Sequence, residues 1–302
     1  MIKTPGPITV GGQVIDAGSR CIVDLNLPGL YSHTPITMPV HVLRGRREGP
    51  VLFVSAAIHG DELNGVEIIR RLLRRPGLKQ IRGTLIAIPI VNVYGVIQHS
   101  RYLPDGRDLN RSFPGSERGS LTARLAGLFM SEIVAQCTHG IDLHTGAGHR
   151  SNLPQIRAKL DDEETATLAR AFGVPVLINA DLRDGSLRQA AADQGVRILL
   201  YEAGEAMRFD EVSIRAGVNG VMNVLRALGM VMTKRKRKSS PEPFIARSST
   251  WVRSPQSGVL TSTLPLGARV KKDETIGVIA DPFSDLESKV VAHASGVIIG
   301  RT

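Results

Sequence analysis

Residues 51–62, VLFVSAAIHGDE, decide the fold because they lead from a buried strand through a polar turn into a helix. Residues 51–58 form a continuous apolar run with β-branched members, which is typical of a strand buried on both faces. Residues 62–74 then place apolar side chains at helical spacing. The stretch therefore predicts the strand–turn–helix unit from which parallel sheets are built.

The same alternation of buried strands and amphipathic helices continues along the chain. Further apolar runs occupy residues 84–91, 140–143 and 196–201, and helical spacing is found in residues 119–137 and 162–172. This order predicts an α/β fold with a mixed, mainly parallel sheet and helices on both faces. Two shorter N-terminal segments, 8–24 and 36–44, are expected to add strands at the edge of that sheet.

The composition changes after the last of these elements, which predicts a domain boundary. A basic run, KRKRK at 234–238, is followed by serines and prolines. Such residues are typical of a linker, which we assign to 234–247. The linker would separate a large α/β domain, residues 1–233, from a small β module, residues 248–302.

The bulk composition favours an ordinary globular protein. The 302 residues carry a net charge of +10, but the KRKRK run supplies five of those charges and is interpreted as a solvated surface feature. Two cysteines, Cys21 and Cys137, provide neither a disulfide framework nor a cysteine zinc site. The N-terminus lacks the apolar core of a signal peptide, and no apolar run reaches the ~20 residues of a membrane helix. We therefore expect a soluble cytoplasmic protein that binds neither membranes nor nucleic acid.

Candidate metal ligands follow two of the buried runs, at the point where each run ends. His59 lies in the turn after the first run, and Glu62 is expected in the first turn of the following helix. His144 follows the run 140–143, with Asp142 placed to orient a histidine. Two histidines and one glutamate are a ligand set for catalytic zinc that leaves a position open for water. On spacing alone, the alternative is an acidic residue at a helix start near unrelated histidines.

A carboxylate also closes the run 196–201, where Glu202 is unusual as a core residue. Beside a metal ion it suits a general base that takes a proton from water. The alternative is a salt-bridged carboxylate at a strand end, and Glu205 is a competing candidate for the base.

Arginines are concentrated in a predicted loop, residues 100–111, SRYLPDGRDLNR. An arginine fork binds a carboxylate at two points, and an arginine beside a metal can instead polarise a carbonyl. Arg188, at a predicted helix start, is another candidate for binding an anion. The alternative for the loop is a solvated basic surface.

Together these pieces resemble the aspartoacylase and succinylglutamate desuccinylase family, which is related to the zinc carboxypeptidases. The pieces occur in the family's order over roughly residues 45–230, and they are HGDE (59–62), RYLPDGRDLNRSFPG (101–115), DLHTG (142–146) and YEAG (201–204). The resemblance implies a carboxypeptidase-like fold and an enzyme that hydrolyses the amide bond of an N-acylated amino acid or a similar small molecule.

The resemblance also implies roles for single positions. One zinc ion per chain would be held by His59, Glu62 and His144. The implied catalytic residues are Glu202, the general base, and Arg101, which polarises the substrate carbonyl. The implied ligands of the substrate carboxylate are Asn110, Arg111 and Arg188.

The chain looks closest to the broad group of bacterial deacylases within this family. That group includes relatives proposed to deacetylate diamino-acid derivatives from ectoine breakdown. A small-molecule N-acyl substrate is therefore expected. A metallocarboxypeptidase acting on peptides and a non-catalytic basic binding protein are the alternatives, and a homo-oligomer stays open.

The C-terminal module contains two similar pieces, VRSPQSGVL at 252–260 and VVAHASGVI at 290–298. It resembles the small barrel that follows the catalytic domain in this family and is similar to lipoyl and biotinyl carrier domains. Lys289 is too near Gly296 to serve as a carrier lysine, so a structural flap at the site entrance is expected. The chain ends soon after the second piece, and we expect a truncated second half.

Overall fold

The computed structural model of the chain describes residues 7–29, 32–232, 241–262, 264–283 and 285–302. The strands are β1 (Ile8–Val10), β2 (Gln13–Ile15), β3 (Arg20–Asn26), β4 (Thr37–Arg44), β5 (Val51–Ala56), β6 (Thr84–Ile88), β7 (His139–Gly146), β8 (Ser151–Ala158), β9 (Val176–Asn179), β10 (Arg197–Glu205), β11 (Phe244–Ala246), β12 (Val259–Ser262), β13 (Arg269–Val270), β14 (Thr275–Ala280), β15 (Glu287–Val291), β16 (Gly296–Val297) and β17 (Gly300–Arg301). The α-helices are α1 (Asn64–Leu72), α2 (Val93–Ile97), α3 (Leu121–Glu132), α4 (Glu163–Phe172), α5 (Leu187–Asp193) and α6 (Glu211–Ala227). Short 3₁₀ turns lie at Pro76–Gln80, Leu109–Arg111 and Val134–Gln136.

A mixed sheet forms the centre of the molecule. Within the described residues it has ten strands in the order β11-β9-β8-β10-β7-β5-β6-β4-β3, with β17 beside β8. Strands β6, β5, β7 and β10 are mutually parallel, and β8 is antiparallel to β10. The carboxyl ends of β5, β7 and β10 therefore meet at one edge, which is where open α/β sheets place their sites.

Helices cover both faces of this sheet, which explains the unbroken apolar runs. Every residue of β5, β6 and β7 is buried. On one face, α1, α4 and α6 contribute core residues such as Ile68, Leu168 and Val218. On the other face, α3 and α5 contribute residues such as Phe129 and Leu187. The predicted fold class, a mixed and mainly parallel sheet between helices, is confirmed.

Side-chain oxygens determine where several helices begin. Ser120, Asp162 and Asp210 precede α3, α4 and α6, and each accepts a hydrogen bond from a backbone N–H of the first turn. Such caps satisfy N–H groups that have no partner within the helix.

None of the described helices combines the length and apolar character needed to cross a bilayer.

The prediction that both N-terminal segments form edge strands is wrong in part. β1 and β2 form a separate two-stranded hairpin, and of the strands in these two segments β3 lies at the sheet edge. β4 lies one position further in, since it pairs with β3 on one side and β6 on the other. Its largely alternating burial indicates that one face of β4 packs on the core while the other is more exposed.

Part of the predicted linker 234–247 is a strand. Its basic run lies outside the described residues, but Phe244–Ala246 forms β11, which pairs in parallel with β9. The backbone N–H of Phe244 donates to Pro175 O at 2.8 Å, so this segment is hydrogen-bonded to the sheet beside β9. Beyond it, β12, β14 and β15 form one small sheet, β13 and β16 form another, and β17 returns to β8. The division between a catalytic domain and a C-terminal module stays a prediction.

Candidate metal centre and active site

The turn after β5 positions His59 by a close backbone approach. A Cβ on Gly60 would lie 2.0 Å from the backbone carbon of Gly95, so only glycine fits between this turn and α2. The N–H of Glu62 donates to His59 O at 3.1 Å, which closes a tight turn. Because that turn occupies residues 59–62, α1 begins only at Asn64, and the expectation that Glu62 lies in the first helical turn is wrong.

Glu62 is the centre of a buried cluster that contains both predicted histidines. The Nδ1 atoms of His59 and His144 lie 2.8 and 2.9 Å from its two carboxylate oxygens. The N–H of Thr145 donates to the same carboxylate at 3.0 Å. Burial by itself raises the pKa of Glu62, but the positive charges of the two histidines outweigh it and hold the pKa well below its usual range.

A second carboxylate holds the far side of each imidazole ring. His59 Nε2 lies 3.1 Å from Asp108, and His144 Nε2 lies 2.7 Å from Asp142. Asp142 is itself fixed, since Ser55 Oγ donates to its other oxygen at 2.9 Å. Burial lowers the pKa of each histidine, but the neighbouring carboxylates outweigh it and raise the pKa of both. Both Nδ1 atoms therefore face one point, with each Nε2 occupied by a carboxylate.

This arrangement fits a metal ion. His59, Glu62 and His144 are buried, and each offers one ligand atom within 4.8 Å of the others. Two imidazole nitrogens and a carboxylate oxygen are a donor set that proteins use for catalytic metals. The structure thus brings together the three side chains that the sequence singled out. Asp108 was missed, although it belongs to the arginine-rich loop and a histidine ligand normally has such a partner.

Arg101 lies at the rim of this cluster. Its Nη1 donates to Glu62 at 3.1 Å, and its Nε and Nη2 donate to Asp108 at 3.2 and 3.1 Å. The guanidinium is about a quarter exposed, 26% of the side-chain surface, so it faces both the buried carboxylates and solvent. A cation at that position can stabilise negative charge that develops on a substrate oxygen.

Glu202 lies in the same row of the sheet as His144. In the strand register it pairs with His144 of β7 on one side and with Gln155 of β8 on the other. Neighbouring strands are about 4.8 Å apart, so the three side chains project from one face at successive strand spacings. Asn152 Nδ2 donates to Glu202 Oε2 at 2.7 Å, and Arg157 Nε lies 3.5 Å from Oε1. The competing candidate Glu205 instead pairs with Arg208 at 3.6 Å.

The proposed substrate-binding residues have different environments. Asn110 is buried, and its Oδ1 accepts a hydrogen bond at 2.9 Å from Leu187 N, at the start of α5. Desolvation, helped by the charges of Arg183 and Arg101, lowers the pKa of Arg111 despite the opposing effect of Asp108. Arg111 therefore lies within electrostatic reach of Asp108, Arg183 and Arg101.

Arg188 is also buried, but its guanidinium is largely engaged by the loop before α5. Its Nη atoms donate to Ala180 O at 3.0 Å and Asp181 O at 2.6 Å. Burial and the charge of Arg157 lower its pKa, while the nearby Glu202 carboxylate opposes the shift. The structure thus places Arg188 within electrostatic reach of Glu202 without bringing it into contact with the cluster of His59, Glu62 and His144.

The chain combines an α/β fold with a buried His-Glu-His cluster that could hold a metal ion. A proposed metallopeptidase from Shewanella amazonensis has a similar fold, with a TM-score of 0.52 and 19% identity over 68% of this chain and 87% of that one. A model of the succinylglutamate desuccinylase/aspartoacylase catalytic domain matches residues 48–228, and the chain belongs to this family. The resemblance noted from the sequence motifs is confirmed.

Three individual proteins to which the chain is similar are consistent with this family assignment. N-alpha-acetyl-L-2,4-diaminobutyric acid deacetylase of Halomonas elongata is 29% identical over 256 residues, which cover 82% of this chain and 75% of the relative. The crystal structure of a succinylglutamate desuccinylase/aspartoacylase from Rhodobacter sphaeroides has a TM-score of 0.81 and 24% identity, over 95% of this chain and 92% of that one. The product-bound ectoine utilization protein EutE (DoeB) from Ruegeria pomeroyi has a TM-score of 0.81 and 23% identity, over 100% of this chain and 94% of that one. The family is one of deacylases, which places the chain among the hydrolytic enzymes.

Proposed function

We propose that the protein is a zinc-dependent deacylase that hydrolyses the amide bond of an N-acylated amino acid. The observation that carries this proposal is the convergence of two Nδ1 atoms on Glu62, with both Nε2 atoms held by Asp108 and Asp142. Such second carboxylates fix the tautomer and orientation of metal-binding histidines. A zinc ion held by His59, Glu62 and His144 would supply a Lewis acid and make water nucleophilic at neutral pH.

The chain's own residues would carry the proton transfers. Glu202 accepts a proton from the attacking water at its carboxylate and then delivers it to the leaving amine nitrogen. In the strand register it pairs with His144, one strand spacing away, which supports this role. Arg101 would stabilise the negative charge that develops on the carbonyl oxygen.

Positive charge beside the cluster would orient the substrate. Arg111 and Asn110 are the proposed ligands of the substrate carboxylate, and the guanidinium of Arg111 can bind a carboxylate at two points. Arg188 is a further proposed ligand, which would have to exchange its contacts with Ala180 and Asp181 for the substrate. Two-point binding by arginine fixes a reactant's orientation as well as its affinity.

The substrate is proposed to be an N-acetylated or N-succinylated amino acid. The name of the Halomonas relative makes N-acetyl-2,4-diaminobutyrate the first compound to test. A panel with N-acetylaspartate, N-succinylglutamate and a short peptide would separate a deacylase from a carboxypeptidase. Cleavage of the peptide alone would contradict the proposal and support a carboxypeptidase.

The general base is tested by comparing Glu202→Ala with Glu205→Ala. We expect both variants to retain zinc, measured by metal analysis, because neither residue belongs to the ligand cluster. Turnover should fall by about 10²–10⁴-fold in Glu202→Ala, the range typical of a lost general base, and stay near wild type in Glu205→Ala. Normal turnover of Glu202→Ala would remove this residue from the mechanism.

A further inference from the structure

Asn152 holds one oxygen of the proposed general base. Its Nδ2 donates to Glu202 Oε2 at 2.7 Å, and the asparagine is buried, with 8% of its surface exposed. The hydrogen bond leaves Oε1 turned toward Arg157, whose Nε lies 3.5 Å away. A donor on one oxygen fixes the rotation of a carboxylate, and catalysis by a base depends on such orientation.

A β-bulge places Asn152 on the same side of the sheet as Glu202. In an unbroken strand, Asn152 and Gln155 would project to opposite faces, because they are three residues apart. The register of β8 against β10 shifts between Gln155↔Glu202 and Asn152↔Gly204, so three steps on β8 match two on β10. A bulge of this kind turns a side chain toward the other face.

The C-terminal strand completes the sheet at this position. β9 covers the outer edge of β8 only from Gln155 to Ala158, and β17 covers the next part, with Gly300 paired to Asn152. The N–H of Leu153 also donates to Ile299 O at 2.9 Å. Trp251 supports this junction, since the guanidinium of Arg150 lies 4.7 Å from the centre of its ring.

We propose that Asn152 is a positioning residue for Glu202 and that β17 holds Asn152 in the orientation that this role requires. The inference rests on the proposed function, in which Glu202 is the general base. It assigns the C-terminal module a role in turnover, through one hydrogen bond and one strand pairing.

Two glycines of the module provide a matched pair of substitutions. A Cβ on Gly300 would lie 3.0 Å from Asn152 Oδ1, which is closer than an ordinary van der Waals contact. The flexible amide would have to move, and its bond to Glu202 would be disturbed. A Cβ on Gly296 would meet no atom within 4 Å, so Gly296→Ala is a control of the same chemistry in the same module.

The test measures kcat and KM of Asn152→Ala, Gly300→Ala and Gly296→Ala on the best substrate of the panel. We expect kcat to fall about 10–100-fold in the first two variants, since a misplaced reactive group costs up to about 10²-fold. KM should change less than twofold, because the residues that would bind the substrate carboxylate are untouched. Zinc content and melting temperature of Gly300→Ala should match those of the control Gly296→Ala.

A double-mutant cycle separates positioning from a general loss of structure. In Glu202→Asp the carboxylate is one methylene shorter and withdraws from Asn152, so adding Asn152→Ala should lower kcat less than twofold further. An undiminished effect of Asn152→Ala in that background would overturn the inference. Unchanged kcat in both Asn152→Ala and Gly300→Ala, with Glu202→Ala inactive, would overturn it and leave the proposed function intact. Full activity of Glu202→Ala would overturn the two together.

Discussion

Replacing Asp142 with asparagine should weaken zinc binding by 10–100-fold, although Asp142 is not a proposed ligand. Its Oδ2 lies 2.7 Å from His144 Nε2, and both side chains are buried. Hydrogen bonds between such charged groups are about twice as strong as neutral ones. Asparagine keeps the volume but removes the charge, and its NH₂ group can force the imidazole proton onto Nδ1, which is the atom that must bind the metal.

The size of this effect follows from the role of the carboxylate. Loss of a group that orients a histidine ligand costs 10–100-fold in metal affinity, which corresponds to about 1.4–2.8 kcal/mol. Ser55→Ala is the matched control, because it removes only the 2.9 Å hydrogen bond to Asp142 Oδ1 and leaves the negative charge. We expect Ser55→Ala to change zinc affinity far less than Asp142→Asn, since the lost hydrogen bond does not contact the imidazole and the negative charge facing His144 remains.

The assay is competition for zinc with a chromophoric chelator, with thermal unfolding of the metal-free variants as a check of folding. Three results would be consistent with the reasoning: weak binding in Asp142→Asn, nearly normal binding in Ser55→Ala, and intact folding in both. Wild-type zinc affinity in a folded Asp142→Asn protein would refute it. That outcome would mean that His144 does not bind zinc through Nδ1 or does not bind it at all.

Three further predictions concern parts of the chain away from the candidate metal ligands. Gly220→Ala should lower the free energy of unfolding by about 1–3 kcal/mol in a denaturant titration, because its Cβ would lie 2.0 Å from the ring of Phe172; an unchanged midpoint would contradict the close packing. Asp162→Ala should cost about 1 kcal/mol in the same titration, since the carboxylate caps α4 by accepting from Thr165 N at 2.9 Å. In a thiol assay at neutral pH, Cys21 should react in the native protein and Cys137 only on unfolding. The reason is that burial raises the pKa of the Cys137 thiol and removes it from solvent. Modification of both thiols in the native protein would count against this prediction.

The sequence predicted the elements that carry the site with good accuracy. The run before His59 and the run around Asp142 are buried strands, as apolar residues without alternation require. The amphipathic stretch 162–172 is α4 within one residue of its predicted limits. These features are local, because each depends on side chains that lie within one or two turns or pleats of one another.

Residues whose role depends on tertiary contacts could not be identified from the sequence. Asn152 reaches Glu202 only because a bulge between β8 and β10 changes the face on which it lies. Asp108 reaches His59 across 49 positions of the chain, through a loop whose course the motif does not specify. Neither contact leaves a periodic signal, since it arises from two segments that are independent until they pack.

The sequence by itself determined the α/β class, the buried strands and the three side chains that converge on one point, because apolar periodicity and residue chemistry are properties of each segment alone. The tertiary structure decided how those segments combine: which carboxylate supports each histidine, why β11 joins the sheet from within a predicted linker, and why the last strand lies beside Asn152. The physical reason is that register, bulges and edge pairing depend on the free energy of pairing between two segments of the chain. No single stretch of sequence specifies that free energy.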